Sequence, residues 1–324
     1  MPQSTRGYLR PMAVTVVVLA PSPLLTVTIE DRAGEPDIHV HAGGQGVWQA
    51  RMLTSLGVRV VLCAGLGGEA GGVLEHLLPS EGLTLKGIRT DARNGGYVHD
   101  RRDGDRIVVA EAPGGPLDRH EHDELYELTL TEGLEHGFAL LSGPHDDRIV
   151  PSALYRRLTT DLVANGCKVA VDLAGERLAA ALAGQPSLVK VSHEELLAEG
   201  RADSDEAADL ITAMRSLRKD GAGIVVVSRA AEPALALVDD DVLAVRLPEL
   251  EPAEPKGAGD SMTAGMVATL ARGGPAAEAL RVGAACGALN VVRSGLGTGN
   301  ADAVAAIAER VQLVRCDERG RELS

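Results

Sequence analysis

Gly257-Ala258-Gly259-Asp260-Ser261 carries the strongest chemical signal in this chain. Small residues there let the backbone approach a ligand, and the N–H groups of a helix starting at that point face an anion. A carboxylate directly beyond those amides does not hold the anion itself. Asp260 is suited instead to take a proton from a hydroxyl lying beside a transferring phosphoryl group. An anion-binding turn with an adjacent base is what phosphoryl transfer to an alcohol requires. The plainer reading keeps the same residues as a strand-to-helix turn in which Asp260 caps the helix.

Other candidate residues are spread along the chain. Ala42-Gly43-Gly44-Gln45-Gly46 opens an apolar helical pattern that contains Trp48, the only tryptophan. Gln45, Trp48 and Met52 form a stripe apart from the Val47/Ala50/Leu53/Leu56 core stripe. Trp48 either packs under a neighbouring flap or floors a pocket, where an aromatic face suits C–H-rich ligand surfaces. Lys190-Val191-Ser192-His193-Glu194-Glu195 ends an apolar strand and starts a helix, with His193 and Glu194 reading as a solvated first turn. Arg93, His99, Arg101, Arg102 and Arg148 are cations near glycine-rich or polar turns, and most of them read equally well as solvated turn residues.

These residues need a frame. Met12–Ala20 is a nine-residue apolar run rich in Val and Thr, which suits a buried first strand better than a signal peptide. Residues 1–11 are expected to form a poorly ordered leader. Thr26–Glu30 and Ile38–His41 alternate like half-exposed strands, with Asp31–Pro36 as the turn between them. The helix from Gly43–Gly46 runs to Leu56 and is stopped by Gly57. Val60–Ala64 is a strand, Gly65–Gly68 leads into a helix, and residues 90–112 form a polar, hairpin-like region ending in the strand Ile107–Val109. Beyond it, helices alternate with the apolar strands Ala139–Ser142, Lys168–Asp172, Leu188–Val191 and Ile224–Ser228.

Strand–helix alternation predicts an α/β fold: a doubly wound, mostly parallel sheet covered on both faces. Ligands bind such sheets beyond the carboxyl ends of the strands. The polar strands at about 24–41 and 90–112 fit poorly in a buried sheet and predict a small antiparallel β flap, a lid inserted in one domain that spans residues 1–324. The 45% hydrophobic content is enough for a large core. A net charge of −14 argues against nucleic acid or an anionic membrane as a partner. Four scattered cysteines without a CxxC pair suit a reducing compartment and support no zinc site. No segment reaches the ~20 apolar residues of a membrane span, so the expected location is the cytoplasm.

The order of these motifs closely resembles the ribokinase-like PfkB family of carbohydrate kinases. Gly257–Ser261, the small-residue helix Val282–Asn290 and Gly295-Leu296-Gly297-Thr298-Gly299 match the family's carboxyl-terminal signature. Ala42–Arg51 resembles the amino-terminal glycine motif of its 1-phosphofructokinase and tagatose-6-phosphate kinase branch, as does Ser22–Thr26 the stretch before it. Leu141-Ser142-Gly143 and Lys190–Glu195 also have counterparts, and the resemblance covers about residues 13–312.

The resemblance implies an ATP-dependent kinase acting on a hydroxymethyl group of a sugar or sugar phosphate. Asp260 would be the base, with the amides of Gly257, Ala258 and Gly259 stabilising the transferring phosphoryl. Lys190, Ser192, Glu195, Ser228, Ala230, Pro233, Lys256, Ala284 and Ala288 would surround ATP, with adenine between the 228–233 loop and the helix around Ala284–Ala288. Glu195 would reach Mg²⁺ through water, and K⁺ is the monovalent ion the family suggests. Thr26, Gly43, Gly44, Gln45, Trp48, Arg93 and Ser142 would face the acceptor together with Asp260, and the lid would join two copies in a homodimer.

Departures from the pattern fall mainly on the acceptor side. Gln45 replaces the motif lysine, Trp48 an asparagine, and Thr26 an aspartate, so the phosphosugar specificity does not transfer by default. Ala230 and Pro233 stand in a loop whose family counterpart is glycine-rich, and Glu254 and Pro255 replace a polar-Thr pair. An unphosphorylated sugar or nucleoside as acceptor, or a binding protein without turnover, are the alternatives.

Overall fold

The computed structural model describes residues 14–104, 106–248, 257–291 and 299–323. The expected leader, Lys256, Glu254, Pro255 and Gly295–Thr298 fall outside the described residues.

The chain begins with strand β1 (Thr15–Ala20), the hairpin β2 (Leu24–Arg32) and β3 (Glu35–Gly43), and helix α1 (Gln45–Ser55). Then come β4 (Arg59–Leu66), α2 (Gly68–Ser80), β5 (Thr84–Arg89), β6 (Gly96–Asp100) and β7 (Ile107–Ala112). The middle alternates: α3 (Arg119–His136), β8 (Phe138–Ser142), α4 (Ser152–Ala164), β9 (Lys168–Asp172), α5 (Gly175–Leu182), β10 (Leu188–Ser192) and α6 (His193–Ala198). The last part holds α7 (Ala207–Lys219), β11 (Ile224–Arg229), β12 (Glu232–Val238), β13 (Asp241–Arg246), α8 (Ala258–Ala271), α9 (Ala276–Val291), α10 (Ala301–Ala308) and β14 (Gln312–Cys316).

Ten strands form one sheet in the order β14-β13-β12-β11-β10-β9-β8-β1-β4-β5. From β11 to β5 every pairing is parallel, as the alternation predicts. An interior strand is β1, between β8 and β4, whose run Val16–Leu19 is wholly buried. Successive residues feed opposite layers: Val17 and Leu19 pack in one hydrophobic cluster, Val16 and Val18 in the other. Each such side chain contributes roughly 1.5–3 kcal/mol on burial, which is why a continuous apolar run forms here rather than an alternating one. All four cysteines are free and buried.

β12, β13 and β14 extend the sheet antiparallel, an addition that the strand–helix pattern does not predict. The lid is a separate four-stranded sheet in the order β3-β2-β6-β7. Its hairpins β2–β3 and β6–β7 are antiparallel, while β2 and β6 join the two hairpins in parallel. Among the described residues no helix is long and apolar enough to cross a membrane.

Candidate active site

Strand register gathers polar residues at the carboxyl edge of the sheet. Ser142 of β8 is paired with Asp172 of β9, Asp172 with Lys190 of β10, and Ser192 with Ser228 of β11. Each lies at or near the end of an apolar strand, so the interior is filled by Val, Leu and Ala while the edge is left for chemistry. Hydrogen bonds then lock this edge to α1 and α8. Ser142 donates to Gln49, Gln49 Nε2 donates to Asp172 Oδ2 at 2.9 Å, and Thr263 Oγ1 donates to the same oxygen at 2.6 Å. Behind them Tyr155 OH holds the Ser142 carbonyl at 2.9 Å.

Above this edge α8 begins. Gly257 takes the N-cap position in the left-handed region, φ 77°, which a side chain would strain. The second glycine has a different reason: a Cβ on Gly259 would stand 2.7 Å from Lys190 Nζ. No side chain caps α8, and the first intrahelical bond goes from Ser261 N–H to the Gly257 carbonyl. The amides ahead of it have no partner within the helix. Asp260 is therefore not the helix cap. Its carboxylate accepts instead from the Gln45 side chain.

Lys190 is the hub of the charges. It is 6% exposed, and its Nζ lies 3.6 Å from Asp172 Oδ1, with Glu195 and Asp260 also close enough to act on it. Burial alone would lower its pKa, but the three carboxylates reverse that and hold the ammonium raised. Burial pushes Asp172 up, and Lys190 and Thr263 only partly oppose it. Burial and the neighbouring Asp172 raise Asp260 to about 7, against the pull of Lys190 and Gln45. Three acids around one lysine cannot all be ionised cheaply. A carboxyl with a pKa near neutrality is the result.

Two cavities meet at this cluster. The larger, about 780 Å³, is bounded by Lys190, Ser192, the hairpin Ser228–Pro233, Ala258, Gly259 and, on α9, Ala284 and Ala288. His193, whose Nδ1 sits 3.2 Å from the Ser228 carbonyl, and Glu194 also border it. Ala230 keeps a left-handed φ of 49° at the hairpin turn, so the backbone form survives although the glycine is gone. Pro233 sits beside the β11–β12 register shift, where its missing N–H interrupts no ladder. The second cavity, about 550 Å³, lies under the lid and is bounded by Gln45, Trp48, Asp172, Glu195 and Arg177, with Tyr97, Arg106 and Glu111 from the lid. Asp260 itself bounds neither cavity; its carboxylate accepts from Gln45 of the second and acts on Lys190 of the first.

Several residues expected at the acceptor lie elsewhere. Gly44, Gln45 and Trp48 border the lid cavity, and Gly43 joins a narrow neck beside it. Ser142 is wholly buried behind Gln49, and Thr26 is wholly buried in β2 with its hydroxyl unpartnered. Arg93 is exposed against Gly68, outside the cavity wall. Arg102 and Arg148 are spent on exposed pairs with Asp100 and Asp146. Glu195 borders the lid cavity rather than the larger one. Its Oε2 accepts from Ser192 N–H at 2.7 Å as the capping box of α6.

The cations of the lid cavity are Arg106 and Arg177, which sequence reasoning missed, with His145 beside Glu111. Asp172 was also missed, although a carboxylate closing an apolar strand is a signal that the edge rule could have used. Arg177 follows a glycine in an Ala-rich helix and leaves no trace in spacing.

A sheet of this winding, with a helix N-terminus and a near-neutral carboxyl joined to both cavities through Gln45 and Lys190, suits a phosphotransferase class of site. Residues 26–303 match the family model described as pfkB family carbohydrate kinase, and the chain belongs to that family. It is 26% identical over 276 residues to 1-phosphofructokinase of Haemophilus influenzae, covering 83% of this chain and 86% of that one. It is 30% identical over 263 residues to ATP-dependent 6-phosphofructokinase isozyme 2 of Escherichia coli, covering 78% and 82%. The structure of phosphofructokinase-2 from Escherichia coli in complex with potassium superposes with a TM-score of 0.80 at 26% identity, covering 92% of this chain and 99% of that one.

Proposed function

We propose that this chain transfers the γ-phosphate of ATP to a hydroxymethyl group of a sugar or sugar phosphate held under the lid. The observation that carries the reading is Asp260, a carboxyl with a pKa near 7 in the first turn of α8, linked through Lys190 and Gln45 to the two cavities. ATP fits the larger cavity, with adenine between the Ser228–Pro233 hairpin and α9. Its terminal phosphate then meets the amides of Gly257, Ala258 and Gly259, and the Lys190 ammonium beside Gly259. The acceptor hydroxyl lies against Asp260, which takes its proton as the new O–P bond forms and the bond from the γ-phosphorus to the β-phosphate oxygen breaks, ADP leaving with that electron pair. Gln45 bridges Asp260 and the Gly143 amide, donating to one and accepting from the other at 2.8 Å, and so fixes the carboxylate toward the acceptor.

The donors suit a hard cation. One Glu195 oxygen is committed to the capping box, and the other is left for water on a magnesium ion. When bound with the nucleotide, Mg²⁺ neutralises charge on the phosphates. K⁺ is proposed as a monovalent ion on the same terms, without an assigned ligand set. We also propose a cytoplasmic enzyme that pairs through its lid. By register, Ile38 and Val40 of β3 and Ile107 of β7 share the lid face opposite Tyr97, and they are 64%, 47% and 55% exposed. Such an apolar strip on one small sheet is interface material.

Two measurements test the reading. ATP–Mg²⁺ is expected to raise the melting temperature, and ADP is expected to be released with at least one acceptor from a panel of sugars, sugar phosphates and nucleosides. No shift and no ADP from any acceptor would leave only the family fold.

A further inference from the structure

The lid cavity contains a guanidinium that its own neighbours leave incomplete. Arg177 stands in the first turn of α5, and its side chain is only 15% exposed. Its Nη2 pairs at 2.6 Å with Asp147, a carboxylate whose side chain is 87% exposed. Nε and Nη1 are buried, and neither has a hydrogen-bond partner. Donors of a charged group buried without an acceptor are costly. A carboxylate standing in solvent is, in turn, a loosely held partner. The arrangement is that of a site built for an anion the chain does not supply.

Its position relative to the base is set by one glutamine. Arg177 Cζ lies 3.7 Å from where a Gly143 Cβ would stand, and the Gly143 N–H donates to Gln45 Oε1 at 2.8 Å. The other end of Gln45 reaches Asp260. Guanidinium and base therefore flank the same side chain along one cavity. Across it, Arg106 donates to the Tyr97 hydroxyl at 2.9 Å, and no carboxylate pairs with it among the described residues. The acids nearest the reaction, Asp172, Glu195 and Asp260, gather round Lys190, while Glu111 is held by His145 at 2.5 Å. Charge in the cavity is thus divided, with carboxylates about Lys190 and guanidinia beyond Gln45.

We propose that Arg177, assisted by Arg106, holds an anionic group on the non-reacting end of the acceptor, and thereby selects a sugar phosphate or sugar acid over a neutral sugar or nucleoside. Arg177 is then the specificity residue, in place of the exposed Arg93. A phosphate or carboxylate accepts from the buried nitrogens and displaces Asp147 into water. A neutral acceptor leaves the same donors unpaired. The proposal rests on the kinase reading for its choice of acceptor, but binding can be measured without turnover.

Calorimetric titration is done in the presence of Mg²⁺ and a non-hydrolysable ATP analogue. The ligands are a ketohexose, its 1- and 6-monophosphates and a hexonic acid. The anionic ligands are expected to bind about 10- to 100-fold more tightly than the neutral sugar, the range of a charge-assisted bond. Whichever of phosphate and carboxylate binds tighter identifies the natural group. Arg177→Ala removes the preference without changing affinity for the analogue, and Arg177→Lys restores part of it. Asp147→Asn, on the surface, tightens anion binding several-fold because a competitor is removed. Equal affinity for charged and neutral ligands, binding of none of them, or an anion affinity that Asp147→Asn leaves unmoved would each overturn the assignment, even if Arg177→Ala fails to fold. Parallel ADP release separates the two readings. Anion preference without ADP from any acceptor sinks the kinase and spares Arg177, whereas ADP with no anion preference sinks Arg177 alone.

Discussion

The role proposed for Asp260 depends on neighbours that disagree about its charge. Burial and Asp172 favour the protonated carboxyl, Lys190 and Gln45 favour the carboxylate, and the balance falls at about 7. A base must be unprotonated to accept the hydroxyl proton, so activity belongs to the alkaline side of that value. As pH falls below about 7, the carboxylate fraction, and with it kcat/KM, drops tenfold per unit. The sign is that of a raised acid: an aspartate at its ordinary pKa of 3.8 would keep the enzyme active to far lower pH. Gln45 has a part here that a lysine could not play. As an amide it donates to Asp260 and accepts from Gly143 at once, while an ammonium only donates.

The elements that carry the site differ in how openly the sequence announces them. β8, β9 and β10 are apolar runs ending in Ser142, Asp172 and Ser192, and buried parallel strands read in just that way. β12 and β13 alternate only partly and meet at an Asp-rich turn, so strand–helix counting passes over them. Side-chain reach was the least legible. Ser142 lies on the expected strand, yet it turns to Gln49 and away from the cavity, because Asp172 needs the amide held. Arg177 enters from a helix whose periodicity gives no reason to single it out.

The β11–β12 hairpin retains a defect that can be measured. Ala230 occupies a left-handed position at φ 49°, which costs an L-residue roughly 1–2 kcal/mol. Glycine loses about 0.5–1 kcal/mol of that gain through its freer unfolded chain. Ala230→Gly is therefore expected to stabilise the protein by about 0.5 kcal/mol or slightly more in urea unfolding. A less stable variant would mean that the turn is held by contacts of the Ala230 methyl group.

At the scale of the whole molecule the charge is adverse. A net charge of −14 repels anionic substrates, so the proposed ATP and anionic acceptor would be held by Lys190, Arg106, Arg177 and helix amides set in recesses. In the proposed complex the lid brings Arg106, just ahead of β7, and Tyr97 over the acceptor, and its other face carries the apolar residues Ile38, Val40 and Ile107. If that strip joins two copies, Val40→Glu is expected to convert a sedimenting dimer to a monomer and to weaken acceptor binding, because the lid loses its support. A variant that stays dimeric moves the interface elsewhere.

Turnover of Asp260→Asn decides whether that carboxyl is the base proposed above. A kcat lowered about 10²–10⁴-fold, no acid limb near pH 7, and unchanged affinity for ATP–Mg²⁺ are expected. Wild-type turnover in the variant, with the same pH profile, would contradict it.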